Sequence, residues 1–276
     1  MAENAFSDVP VAVVTGGSAG LGFEIASHFA KNGYHLVLVG RNEERLKTAH
    51  AKIKLASHHP VQYYICDVTI QSEVQQLFKH IESDCNRLDV LLNCVGKSDR
   101  GLLQDLSAES LSSLIDANLL SALYCTQQSL QLLEQSHGVI VNIGSLASKV
   151  GARFIGGYSI AKHALAGMTQ QFRLELKERG IHVCLLSPGP IRRTDEGQRY
   201  EDRMSENLPE QARRPGGGTR VKGLSSSVVA AVALEMVRKR QPDRVLPGYL
   251  RLLIGVGHLW PRLGDWLLLK FTSSHS

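Results

Sequence analysis

Short β-branched runs alternate with longer helical patterns along most of this 276-residue chain, and no other feature limits its fold as much. The runs are Val9–Val14, His35–Val39, Val61–Ile65, Leu88–Leu92, Val139–Ile143 and Ile181–Leu186. Each is almost continuously apolar, as a strand covered on both faces requires. Helix-like segments lie near 20–32, 42–57, 72–85, 108–134 and 158–179. This order predicts an α/β fold, doubly wound, with a parallel sheet and helices on both faces. Crossovers are expected to be right-handed, with the ligand crevice at the carboxyl ends of the strands.

The length suits one domain with a large core, so residues 1–276 read as a single unit. After Pro188 the pattern changes. Residues 190–224 are polar and Gly-rich, Ser225–Ser227 can cap a helix running to about Arg240, and a short strand is expected near Val245–Leu246. The segment 246–271 is an apolar tail interrupted by Pro261.

Met1–Asp8 lacks the basic start and apolar run of a signal peptide. Five cysteines, an odd number with no close-spaced pair, read as reduced thiols. Both features predict a cytoplasmic location. Charge is uneven: from Arg192 onward there are 15 Lys and Arg against 9 Asp and Glu, or +6, whereas residues 1–191 carry −1. The basic residues are scattered without a nucleic-acid motif, so no nucleic-acid partner is expected; an anionic ligand or a membrane surface fits better. No Cys/His set has metal-ligand spacing, and no metal is expected.

The first run leads into Thr15-Gly-Gly-Ser-Ala-Gly20-Leu-Gly22 and then a helix. Glycines at a strand-to-helix turn let the backbone approach a pyrophosphate resting on the helix N-terminus. The second run ends in Gly40-Arg41-Asn42, with no acid until Glu43. An acid at that point would favour NAD, whereas a guanidinium suits the 2′-phosphate of NADP. Asp67-Val68 follows the third run and can reach an adenine amino group. Asn93-Cys-Val-Gly96 follows the fourth, where a small residue lets backbone lie against adenosine.

Further on, Asn118 stands among apolar neighbours in a helical segment and calls for a partner. Ser145 ends the fifth run, and thirteen residues later comes Tyr158-Ser-Ile-Ala-Lys162. Residues four apart share a helix face. An ammonium beside a phenol favours phenolate, lowering the Tyr pKa from its reference near 10 and making a proton donor usable near neutral pH.

In order and spacing, these elements resemble the short-chain dehydrogenase/reductase superfamily over about residues 9–194. They are the Thr15–Gly22 turn, Asp67, Asn93–Gly96, Asn118, Ser145, Tyr158-x-x-x-Lys162 and Pro188-Gly189. The resemblance implies a Rossmann fold with a mainly parallel seven-stranded sheet, and a homodimer or homotetramer. It implies catalysis by Tyr158 as general acid, Ser145 polarising the carbonyl, Lys162 holding the nicotinamide ribose and tuning Tyr158, and Asn118 stabilising a proton-supplying water chain. Cofactor contacts carried over are Thr15, Gly16, Ser18, Gly20, Leu21, Gly22, Asp67, Val68, Asn93, Gly96, Tyr158, Lys162, Pro188, Gly189 and Ile191, with Arg41 added for NADP(H). Two departures stand out: Val95 replaces a smaller Ala, and Thr194 lies one residue late, with Arg193 in its place.

The activity implied is hydride transfer between NADP(H) and a carbonyl or alcohol, on a lipophilic ketone or aldehyde. A 3-oxoacyl-thioester (acyl-carrier-protein) reductase is the enzymatic alternative, and a silent NADP-binding regulator or scaffold the non-enzymatic one. Residues 190–224 occupy the family's substrate-lid position. Their arginines and lysine read either as a solvated surface balanced by nearby acids or as capture of an anionic substrate group. The tail, with Trp260, Trp266, Arg251, Arg262 and Lys270, is too short to span a bilayer and resembles those of membrane-associated lipid- and steroid-reducing members. It suits a monotopic peripheral membrane contact, a subunit interface or an apolar pocket wall alike.

Overall fold

In a computed structural model, residues 8–192, 208, 212 and 221–272 are described. Two βαβ halves build one sheet. The first comprises β1 (Val11–Thr15), α1 (Gly20–Lys31), β2 (His35–Gly40), α2 (Glu43–Lys54), β3 (Val61–Ile65) and α3 (Gln71–Cys85). The second runs through β4 (Val90–Asn93), α4 (Ala108–Ile115), α5 (Ser121–Gln135), β5 (Val139–Ile143), α6 (Tyr158–Glu175) and β6 (His182–Pro188). It continues with α7 (Ser226–Lys239), β7 (Asp243–Leu246), α8 (Leu250–Leu259) and α9 (Pro261–Thr272).

The seven strands lie in the order β3-β2-β1-β4-β5-β6-β7. All six pairings are parallel, so the sheet is wholly rather than mainly parallel. Successive strand residues point to opposite faces and fill two cores. On one face Val14, Leu38, Leu92 and Val141 meet Ile25 and Phe29 of α1 and Val229 and Ala233 of α7. On the other Val13, Val37, Leu91 and Ile140 meet Leu77 and Phe78 of α3 and Leu133 of α5. The order reverses between β1 and β4, which opens a crevice at the carboxyl ends of these strands.

The first strand begins at Val11 rather than Val9, because Pro10 has no N–H to give a ladder. The helix expected over 108–134 is two helices joined by one wide π-type turn, Asp116–Leu120. Such turns concentrate at functional sites, and this one carries Asn118. The tail forms two helices that divide at Pro261, as its sequence predicts. All five cysteines are free thiols.

Candidate active site

A cleft of about 1940 Å³ opens over the carboxyl ends of the strands. Its floor is the β1–α1 turn, where Gly16 and Gly20 have φ of +67° and +56°. A Cβ on Gly22 would lie 2.2 Å from the carbonyl oxygen of Gly16, so only glycine lets helix and turn pack this closely. The N-cap of α1, Ala19, offers no side-chain cap, and no acid lies in the first helical turn. The first N–H groups of α1 are therefore served by no side chain at the cap, and the positive end of the helix dipole is not offset. A phosphate group fits this cradle.

Arg41, Asn42 and Arg45 line the cleft beyond β2. Asn42 caps α2, its Oδ1 accepting the Arg45 N–H at 2.9 Å. The Arg41 guanidinium stands 3.6 Å from Asp67, and its side chain is 81% exposed. An ion pair this open contributes little, which leaves Arg41 available to a stronger anion. Burial pushes the Asp67 carboxyl up, but two hydrogen bonds from Thr69 and the Arg41 charge outweigh it and hold it below its ordinary value.

Two residues expected to touch cofactor do not line the cleft. Thr15 is buried, and its hydroxyl joins strand ends by donating to Leu92 O and accepting the Cys94 N–H. Asn93 is buried too, its Nδ2 donating to Asn142 Oδ1 at 2.8 Å. Asn142 donates in turn to Thr169 Oγ1 at 2.9 Å, and Thr169 to Leu165 O at 2.6 Å. This buried chain ties β4 and β5 to α6. Sequence reasoning missed Asn142 and Thr169, although an Asn inside Val139–Ile143 was a visible signal. The remaining expected cofactor contacts, from Gly16 to Ile191, all line the cleft.

Asn118, Ser145, Tyr158 and Lys162 converge on the same cleft. Ser145 caps a short 3₁₀ turn, Leu146–Ser148; its Oγ accepts the Ala147 N–H, while the Ser145 N–H donates to Ser148 Oγ at 3.0 Å. Tyr158 opens α6, so its backbone is held at the helix start. One turn on, Lys162 is buried, its Nζ donating to Ile143 O at 2.8 Å and lying 5.8 Å from the centre of the Tyr158 ring. Burial pulls this ammonium down to about 8, opposed by the Cys94 thiol.

The Asn118 amide donates to Lys97 O at 2.7 Å and Leu114 O at 2.9 Å. Its Oδ1 is buried and has no partner among the described residues. A Cβ placed on Gly96 would meet that Oδ1 at 2.8 Å and Lys162 Nζ at 3.4 Å. The space beside Gly96 thus lies within reach of both polar groups, and a buried orphan oxygen there calls for a donor.

A residue that no motif indicated holds the start of α6. The carboxylate of Asp99 accepts the N–H of Tyr158 at 3.2 Å and of Gly157 at 3.3 Å. Gly156, at φ +48°, makes room, since a Cβ there would lie 2.7 Å from Asp99 Oδ2. Arg100 is buried, its guanidinium donating to Asp99 O at 2.7 Å and Ala212 O at 3.0 Å.

The far wall of the cleft is the tail, with Leu250, Leu253, Ile254, Leu267 and Leu268 lining it. His258 Nε2 donates to Lys149 O at 2.9 Å, and Lys149 pairs with Asp243 at 2.6 Å. At the edge of the expected lid, Ile191 bridges Leu224, and Arg192 and Val221 line the cleft. Thr194 and the arginines at 193, 199, 203, 213, 214 and 220 lie outside the described residues.

A doubly wound sheet with a glycine turn and this cleft at its carboxyl ends defines a nucleotide-binding α/β fold. The sequence model of the short chain dehydrogenase family matches residues 10–205, and the chain belongs to that family. An uncharacterised oxidoreductase of Staphylococcus epidermidis is 33% identical over 182 residues, 66% of this chain and 77% of the relative. A 3beta-hydroxysteroid dehydrogenase of Mediterraneibacter gnavus is 33% identical over 184 residues, 66% of each. Among solved structures, an actinorhodin polyketide ketoreductase variant with NADPH has a TM-score of 0.76 at 26% identity, covering 87% of this chain and 97% of its own. A short chain dehydrogenase/reductase from Burkholderia phymatum in complex with NAD has a TM-score of 0.80 at 22% identity, covering 94% and 96%.

Proposed function

We propose that this chain is an NADP(H)-dependent carbonyl reductase (an alcohol dehydrogenase in reverse) acting on a lipophilic ketone or aldehyde. The observation that carries the reading is the meeting of Asn118, Ser145, Tyr158 and Lys162 in one cleft that also holds the glycine turn. The cradle at Gly16–Gly22 would hold the pyrophosphate, Arg41 and Arg45 the 2′-phosphate, and Asp67 and Val68 the adenine. The bound cofactor would supply or accept a hydride.

In reduction the Tyr158 hydroxyl protonates the carbonyl oxygen, and in oxidation the phenolate takes that proton back. Ser145 donates a hydrogen bond to the same oxygen and orients it. The Lys162 charge, one helical turn away, stabilises the phenolate. Asn118 Oδ1 and Lys162 Nζ flank a space from which a proton can be resupplied. The tail's leucines and Ile254 give the cleft an apolar wall, which supports a lipophilic substrate. The relative from M. gnavus, named for a hydroxysteroid, fits that class.

A second reading, reduction of a 3-oxoacyl thioester, draws on Arg192 at the cleft edge and on the ketoreductase neighbour. The silent scaffold is disfavoured because all four site residues are intact. NADPH oxidation against steroid ketone, long-chain keto-lipid and acetoacetyl thioester separates the three. Tyr158→Phe is expected to remove most turnover while NADPH still binds. Turnover near that of the native enzyme would sink the assignment.

A further inference from the structure

The α8–α9 hairpin has two working faces. Its inner face lines the cleft and is anchored by His258 on Lys149. The helices cross at a backbone contact, where a Cβ on Gly264 would lie 2.8 Å from the Cα of Gly257. With only glycines at that crossing, the larger side chains turn inward to the cleft or outward to solvent. Outward stand Leu252 at 75% exposure, Leu259 at 74%, Trp260 at 61% and Trp266 at 54%, with Leu263 beside them.

This is a concentration of exposed apolar surface, and such patches mark contact sites. Its charges have one sign. Arg251, Arg262 and Lys270 are exposed, Lys270 lying 4.9 Å from the centre of the Trp266 ring. The single acid between Tyr249 and Thr272, Asp265, lines the cleft. A two-fold contact with a second copy would bring like charges together, because such an interface pairs a patch with itself. An anionic bilayer complements the three cations and takes tryptophan at its headgroup level. Among the described residues, no helix is long and apolar enough to cross a membrane.

We infer that the outer face of α8–α9 docks this protein on an anionic bilayer, with the cleft wall on the opposite face of the same hairpin. A lipophilic carbonyl leaving the bilayer then meets the cleft at its apolar side. That last step rests on the carbonyl-reductase reading; the docking itself does not.

The chain has two tryptophans, both in this hairpin, so its tryptophan emission reports on the proposed contact alone. The full chain is mixed with vesicles of phosphatidylcholine, or of phosphatidylcholine with phosphatidylglycerol. Flotation and a shift of emission to shorter wavelength are expected with the anionic vesicles, weakening as salt is raised. The double variant Trp260→Ala, Trp266→Ala is expected to float at least about tenfold less, with turnover of a water-soluble carbonyl unchanged. No flotation of the native chain overturns the inference, as does equal flotation of the double variant. So does emission that shifts with protein concentration and ignores vesicles, which would assign the face to a second copy. Failure to float with carbonyl turnover intact sinks docking alone. Flotation without turnover of any carbonyl sinks the reductase reading alone.

Discussion

Asp99 accepts the backbone N–H of Tyr158, a hydrogen bond of 3.2 Å spanning 59 residues of chain. It gives α6 an N-terminal cap from another part of the fold, and a carboxylate there also suits the helix dipole. Removing a cap typically costs about 1 kcal/mol. Asp99→Ala is therefore expected to lower stability by about that much in urea denaturation. Turnover should fall about 10- to 100-fold because the phenol loses its fixed position. Asp99→Asn keeps one acceptor oxygen and should recover much of kcat. If Asp99→Ala leaves kcat unchanged, the cap does not position Tyr158.

Gly96 is where a side chain would do most harm. An added methyl would press on Asn118 Oδ1 at 2.8 Å and on Lys162 Nζ at 3.4 Å. Gly96→Ala is expected to cost about 1–3 kcal/mol, the usual range for overpacking. Turnover should drop by at least about tenfold, because the space between the two groups is filled. Kinetics alongside thermal unfolding test this; wild-type turnover would show that nothing essential passes there.

Lys162 makes stability depend on pH. Burial brings its folded-state pKa down to about 8, from the ordinary lysine value of 10.5. Below pH 8 both states carry the charge, and the folded state bears the cost of burying it. Between about 8 and 10.5 the unfolded chain binds more protons, so the Lys162 contribution to stability rises with pH and then levels off. The gain is on the order of 3 kcal/mol at most. Urea midpoints of the cofactor-free protein should show this rise relative to Lys162→Met. Parallel pH profiles for the two proteins would contradict it.

Arg41 is the test of cofactor choice. Its pairing with Asp67 is long and open, so Arg41→Ala should cost little stability. It is expected to raise the KM for NADPH about tenfold or more, with KM for NADH changed little. A native enzyme that prefers NADH would overturn the NADP assignment. Equal effects of Arg41→Ala on both cofactors would place Arg41 away from the 2′-phosphate.

Strand and helix order, the glycine turn and the break of the tail at Pro261 were legible in the sequence. They depend on local periodicity and on residues that stop or bend a helix. That Ser145, Tyr158 and Lys162 would share one candidate site was legible as well, because they lie on neighbouring elements at short, regular spacings. The sequence could not indicate the wide turn at Asp116–Leu120, since Asn118 uses its amide on Leu114 O and on the distant Lys97 O.

Strand order decided the rest. Thr15 and Asn93 have the residue types of cofactor contacts, but β1, β4 and β5 lie side by side and turn their polar groups on one another. Asp99 reaches Tyr158, and the tail meets the cleft, only because the sheet brings these segments together. A sequence determines by itself what nearby residues can do, through backbone sterics and the periods of helix and strand. Which distant groups meet, and hence which face of the tail looks into the cleft, is set by packing the whole chain around its two cores.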